Sequence, residues 1–524
     1  MGNSDYIIKG GRVFDGCDFL EDEVRGAPRC ADVALKDGRI AAIGKFPENS
    51  GKIIDASGCI VSPGFIDVHT HCDLAVMSLI GARRARPGGC GISAPKDGIV
   101  SANLCYLRQG VTTVVTGNCG LGEAGCRPWF DYLDENGFGT NVVHLVPHGM
   151  LRMKITGKTQ GGKLSSGDIQ KLRNALENEM AAGAAGFSSG LEYAPGCFAD
   201  IAELEVLART AAERGGIYAT HLRNETGEGV EEALGEAIEV ARSSGVSLEI
   251  SHLKITAPLK KGLVCRLLAM IERSRDEGID ICADQYCYDY GSTYITWLVN
   301  PIFLDGNIIS EKCRDASSLS EISAGLLKKL NFIPPDKIIV SSYGKCSGYE
   351  GKTLTAIGEE TSREAVDVLM ELVLSKDPPL GMFLSQDMGN VREIMKKDYV
   401  LTSSDGWTQI FGEGHPHPRN YGNFPRKIKR FVRGEKIISL GHALRSMTSL
   451  PAEKFRLNNR GRIKKGFAAD IAVFREERFC DKSSVENPHA YAEGLDCLFV
   501  NGKLSISGGV FTGVKAGRIL KNRG

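Results

Sequence analysis

Between residues 62 and 454, short apolar runs alternate with longer segments whose apolar residues recur every three or four positions, the periods of strand and helix. The runs IVSPGFIDVHTH, TTVVTGN, NVVHLVP, AGFSSGL, GIYATHL, SLEISHL, IDICADQY and YVLTSSDG predict strands. Between several of them lie helix-like segments such as SGDIQKLRNALENEMAAG and DIAELEVLARTAAERGG, which open on Ser or Asp and close on Gly. Eight strand–helix alternations of this length predict a (β/α)8 TIM barrel. A ninth run, KIIVSSYG at 337–344, exceeds the count and is assigned to an insertion at about 300–398.

The two ends of the chain follow a different pattern. Residues 5 to 61 alternate short β-like runs with Gly turns, and the tail repeats the style in GRIKKGFAADIAVF and LDCLFVNGKL. The segments 1–61 and 455–524 are expected to form one small β-sandwich domain, with the barrel, 62–454, inserted between them.

Composition narrows the partners. Lys plus Arg and Asp plus Glu number 64 each, which removes the electrostatic case for nucleic acid or an anionic membrane and favours a small molecule. Sixteen cysteines without a C-x-x-C pair read as reduced thiols of a cytoplasmic protein. No secretory leader and no span of about 18 apolar residues is expected from this sequence.

In a parallel barrel the C-terminal strand ends share one face, where active sites collect. The first strand ends in His69 and His71, two residues apart and therefore on one side. The second ends in Cys119, the fifth in His221, the sixth in His252 and the last in Asp405. A lone strand-end His is usually structural and a lone Cys usually a small apolar group. Four of only ten histidines at strand ends of one face instead point to a metal site. His415 and His417, in GEGHPHPRNYGNFPR, are read as loop residues near it.

The motifs GFIDVHTH, TTVVTGNCG, GFSSGLEYAPG, THLRNE, ISHLK, SSDG and HPRNYGNFPR resemble, in that order, those of the D-aminoacylase (N-acyl-D-amino-acid deacylase) branch of the amidohydrolase superfamily. The likeness runs from about residue 5 to 520. Many amidohydrolases carry a carboxylated lysine on the fourth strand, whereas AGFSSGL has none. The resemblance implies that Cys119 replaces it. It also implies that Cys119, His221 and His252 hold one tight Zn2+, with His69 and His71, sharing Cys119, as a second and weaker site.

The resemblance further makes Asp405 the general base and assigns the substrate carboxylate to Lys254, Tyr286, Ser292 and Arg419, with Arg223 as a neighbour. The implied substrate is a small N-acyl-D-amino acid or a dipeptide ending in a D-residue. Four departures bear on substrate identity, one being a stretch from Asp405 to Arg419 that is longer than usual for the family. Cys72 follows His71 where the family commonly has Asp, and the Tyr-Pro-Tyr run becomes Tyr286-Cys287-Tyr288. The segment Leu79 to Ser101, with Arg83, Arg84 and Arg86, lengthens the first loop and is a candidate lid. The rival readings are a cyclic-amide hydrolase, disfavoured by the missing lysine, and a non-catalytic scaffold, disfavoured by retention of every expected ligand.

Overall fold

The computed structural model describes residues 4–20, 30–47, 50–74, 76, 100–157, 161–343 and 346–522 of the chain. Of the expected lid segment only Val100 and Ser101 fall among these; Arg83, Arg84 and Arg86 lie outside the described residues.

Eight parallel strands form a closed ring. They are β1 (Phe65–Asp67), β2 (Val111–Thr116), β3 (Asn141–His144), β4 (Gly186–Gly190), β5 (Ile217–His221), β6 (Ser247–Ile250), β7 (Ile281–Gln285) and β8 (Val400–Thr402). Neighbours pair in chain order, with Val146–Pro147 linking β3 to β4. A parallel bridge from Thr70 to Gly406 closes β8 onto β1, flanked by Asp405 N donating to His69 O at 2.9 Å and His71 N to Gly406 O at 2.7 Å. This is the (β/α)8 barrel that the alternation predicts.

Alternate residues of most strands enter different cores. Val114, Val142, Tyr218, Ile281 and Val400 pack in the main cluster with helix residues such as Leu207, Leu234 and Leu267. Val115, Val143, Ile217, Ala219, Cys282 and Leu401 form a second cluster with Ala452 and Phe455. The period of two thus gives these strands a helix-facing row and an interior row. Two interior rows run on to polar groups: Ile217 and Ala219 lead to His221, and Cys282 leads to Asp284. The helices obey their caps: Ser165 accepts from Asp168 N ahead of Ser166–Ala182, and Asp200 from Glu203 N ahead of Ile201–Glu213.

Strands from both chain ends share one nine-stranded sheet, in which Ile471–Phe474 lies antiparallel to Ile60–Pro63. Between β7 and β8 the chain builds a three-stranded antiparallel sheet of Tyr290–Tyr294, Leu380–Leu384 and Ile338–Ser342. The run from 337 therefore lies outside the ring. This excursion has its own apolar cluster, including Ile322, Leu326, Ile338, Val340, Leu369 and Phe383.

Phe65 joins barrel to terminal sheet. Fully buried, it stacks on Phe424 at 5.7 Å and meets Phe474 edge-on at 6.1 Å. Phe65→Ala is predicted to destabilise the protein by about 3–5 kcal/mol, the cost of an unfilled aromatic cavity. Chemical denaturation measures it; a loss below about 1 kcal/mol would mean that this junction is not cooperative with the barrel core.

Candidate active site

The strand-end residues converge through local backbone geometry that is itself unusual. Cys119, His252 and Asp405 have φ of 53°, 37° and 50°, the left-handed region that non-glycine residues enter only when tertiary contacts hold them there. In the GNCG turn Gly117 is required twice over. Its φ is 75°, and a Cβ there would lie 2.0 Å from Leu145 O. The β4 end is equally tight, since a Cβ on Gly190 would lie 2.1 Å from Cys119 O. Tight backbone contacts therefore fix where the Cys119 sulfur points.

That sulfur lies 3.2 Å from His69 Nε2, 3.4 Å from His252 Nε2 and 3.8 Å from His221 Nδ1. All four residues are buried. Carboxylates hold the opposite ring nitrogens: Asp284 meets His69 Nδ1 at 3.1 Å and Glu225 meets His252 Nδ1 at 3.1 Å. Glu192 and Glu225 flank His221 Nε2 at 3.0 and 3.4 Å. Such partners fix ring orientation and strengthen an imidazole as a ligand. Asp405 Oδ1 sits 3.2 Å from His71 Nε2 and 3.6 Å from His69 Nε2, while its Oδ2 pairs with Arg419 Nη1 at 2.8 Å.

The electrostatics follow from this packing. Burial opposes the Cys119 thiolate, yet His69 and His252 overcome it and hold the thiol well below its ordinary value. Burial likewise opposes charge on the rings. Cys119 and Asp284 still raise His69 well above the imidazole range, Asp405 lifts His71 to about 9, and Glu225 lifts His221 to about 10. Glu225 is buried but held at about 2 by His221 and Lys254. Asp405, also buried, is kept well below the carboxylate range by Arg419. The pocket is thus built to stabilise positive charge among its acids, and metal binding would displace the ring protons.

The donor set fits zinc. Tetrahedral Zn–S and Zn–N bonds of the usual lengths put sulfur and nitrogen about 3.6 Å apart, and the separations of Cys119 from His252 and His221 bracket that value. The ligand atoms gather in three groups: His69, Cys119 and His252; His69, His71 and Asp405; His221, Glu225 and His252. His69 belongs to the first two groups and His252 to the first and third, so the three adjoin through these two rings, with Cys119 in the middle group.

Of the expected carboxylate contacts, Lys254, Tyr286 and Ser292 line the cavity above the cluster. Lys254 Nζ is in contact with Glu225 and lies 2.8 Å from His252 Nδ1. The Tyr286 hydroxyl accepts from Gln386 Nε2 at 2.7 Å. Arg419 stands behind them, its guanidinium over the Tyr286 ring at 4.8 Å and donating to Ser292 O at 3.3 Å. Arg223 faces elsewhere: it pairs with Glu236 at 2.8 Å and donates to Cys197 O and Ala199 O. His417 supports the Arg419 backbone, accepting from its N at 3.0 Å, whereas His415 binds Val485 O at 2.6 Å. Cys72 is buried in the main apolar cluster, beside Thr70 Oγ1 at 3.5 Å.

Sequence reasoning missed Glu225, Glu192 and Asp284. Two of these carried a signal. Glu225 follows His221 by four residues within THLRNE, and Asp284 continues an interior strand row, so a search for a carboxylate behind each histidine finds them. It also missed the aromatic wall of Tyr193, Tyr294, Trp297, Phe383 and Trp407, which line the same cavity.

A closed (β/α)8 barrel with thiolate, imidazole and carboxylate groups at its C-terminal mouth defines a metal-dependent amidohydrolase. Residues 368–506 match the model of the amidohydrolase family. The chain is 31% identical over 521 residues to the N-acyl-D-glutamate deacylase of Alcaligenes xylosoxydans xylosoxydans, covering 95% of this chain and 93% of that one. It is 30% identical over 540 residues to the D-aminoacylase of the same organism, covering 98% and 97%. The crystal structure of N-acyl-D-glutamate deacylase from Bordetella bronchiseptica, complexed with zinc and a phosphonate mimic of the tetrahedral intermediate, matches with a TM-score of 0.80 at 28% identity over 99% of this chain and 100% of that one. The chain belongs to the family of D-aminoacylases, the N-acyl-D-amino-acid deacylases.

Glu225→Gln is predicted to weaken zinc affinity about 10–100-fold by loosening both His221 and His252. Competition with a chromogenic chelator measures this, and unchanged affinity would remove Glu225 from the account.

Proposed function

We propose that the protein hydrolyses the amide bond of N-acyl-D-amino acids, using zinc held by Cys119, His221 and His252, to give a carboxylate and a free D-amino acid. The carrying observation is the Cys119 sulfur between His252 and His221, with Asp405 facing the same space from β8. Zinc, when bound, supplies Lewis acidity toward the acyl oxygen and the attacking water. His69 and His71, with Cys119, form the second and weaker site.

The chain's own groups supply the rest. Lys254, Tyr286 and Ser292 bind the substrate α-carboxylate, and Arg419 adds charge from behind Tyr286. This places the scissile amide between the cluster and Asp405. Water oxygen attacks the acyl carbon as Asp405 takes its proton at a carboxylate oxygen. The C–N bond then breaks, and Asp405 returns that proton to the departing nitrogen. Arg419 and His71 orient Asp405 by gripping its two oxygens separately. An aminoacyl group can take the place of the acyl group without any change of step, so dipeptides ending in a D-residue belong to the same reading. The cytoplasm is the proposed compartment: every cysteine among the described residues is free, as a reducing environment keeps them. No helix among the described residues is long and apolar enough to cross a membrane.

With zinc supplied, N-acetyl-D-amino acids are predicted to release free amine while their L counterparts do not, and a chelator is predicted to abolish turnover. Asp405→Asn lowers kcat by about 10²–10⁴-fold, and Cys119→Ser lowers zinc occupancy and activity together. Normal turnover by Asp405→Asn, or full zinc occupancy in Cys119→Ser, contradicts the assignment.

A further inference from the structure

The family named above contains deacylases of acidic D-amino acids as well as a D-aminoacylase, so the side chain accepted by this chain is a separate question. We infer that it takes a large apolar or aromatic D-side chain, seated against Tyr193, Tyr294, Trp297 and Phe383. The inference rests on the proposed deacylase reading and deepens it.

The wall is built beside the carboxylate contacts. Ser292, Thr293 and Tyr294 are consecutive on Tyr290–Tyr294, whose antiparallel partner Leu380–Leu384 carries Phe383 opposite Gly291. Trp297 follows in the next turn and meets Phe383 edge-on at 5.3 Å. Tyr193, on the loop after β4, packs edge-on against the metal-facing His221 ring at 4.8 Å. A substrate whose carboxylate sits at Ser292 and Lys254, and whose amide sits at His221 and Asp405, has its α-carbon beside these four rings. Its acyl group then lies toward Trp407, two residues after Asp405 and 5.5 Å from the His71 ring.

The chemistry of this wall is apolar. The Tyr193 hydroxyl is engaged with Thr293 Oγ1 at 3.3 Å and the Tyr294 hydroxyl with Asn307, so what the tyrosines add to the surface is chiefly ring. Among the described residues Lys254 is the one lysine or arginine lining the cavity, and in the proposed reading the substrate α-carboxylate takes it. Lys329 lies over the Trp297 ring at 5.4 Å and lines an adjoining cavity on the far side of Tyr193, Tyr294 and Trp297, which border both; it does not line the cavity that holds Lys254 and Ser292. Against this wall a side-chain carboxylate would lose its water to aromatic carbon, with no free lysine or arginine among the described residues of the cavity to replace it. A phenyl or branched alkyl group would instead exchange water for matching surface.

The test compares kcat/KM of the zinc-loaded enzyme for N-acetyl-D-phenylalanine, -leucine, -alanine, -glutamate and -aspartate. D-Phe and D-Leu derivatives are expected to exceed those of D-Glu and D-Asp by about 100-fold or more. Trp297→Ala and Tyr294→Ala, both at half-buried positions, are expected to lower the value for D-Phe about tenfold or more while leaving that for D-Ala within about twofold. A merely structural role would lower both substrates alike. Equal or faster turnover of the acidic substrates, or equal losses for D-Phe and D-Ala in the variants, overturns the inference and leaves the deacylase reading intact. Should no N-acetyl-D-amino acid be turned over, the deacylase reading fails. Calorimetric titration of the zinc-loaded protein with free D-phenylalanine and D-glutamate then decides the pocket: tighter D-phenylalanine supports it, and tighter or equal D-glutamate, or no binding of either, overturns it.

Discussion

Everything at the mouth of the barrel depends on a buried sulfur held between imidazoles. A thiolate without compensation would be costly in this interior. Here three rings face it, three carboxylates stand behind those rings, and the backbone is bent into the left-handed region to aim the sulfur. Each layer makes sense only with the next. The carboxylates need the rings, the rings need the sulfur or a cation, and the GNCG turn needs the close approach of Leu145 O and Gly190 that only glycine permits.

This layering separates the jobs of the acids. Asp284, Glu225 and Glu192 face outward ring nitrogens and act through histidines. Asp405 instead faces His69 and His71 from the end of the last strand, with Arg419 fixing its other oxygen. Lys254 belongs to both systems, since its ammonium contacts Glu225 while it lines the substrate cavity. Occupancy of the carboxylate contacts and ligand geometry are therefore linked through a single carboxylate.

Much of this was legible in the chain. The eight strands follow from apolar runs, and the meeting of His69, His71, Cys119, His221, His252 and Asp405 follows from the rule that barrel chemistry sits at C-terminal strand ends. Local periodicity carries such information because one strand's direction places its end. The aromatic wall was hidden for the opposite reason. Tyr193 lies after β4, Trp297 after Tyr290–Tyr294, and Phe383 about ninety residues later on a paired strand. No local pattern relates them; antiparallel pairing inside the excursion brings Phe383 to Tyr294 and Trp297, and the barrel's own closure brings Tyr193. Arg223 shows how a motif position can mislead, because its side chain turns to Glu236 although it lies two residues from His221 in THLRNE.

The most direct test of the central claim is zinc K-edge X-ray absorption on the purified protein carrying one equivalent of zinc. A thiolate-anchored centre predicts one sulfur scatterer at about 2.3 Å together with imidazole nitrogens at about 2.0–2.1 Å, the sulfur disappearing in Cys119→Ser. A first shell of nitrogen and oxygen alone in the unaltered protein would contradict it.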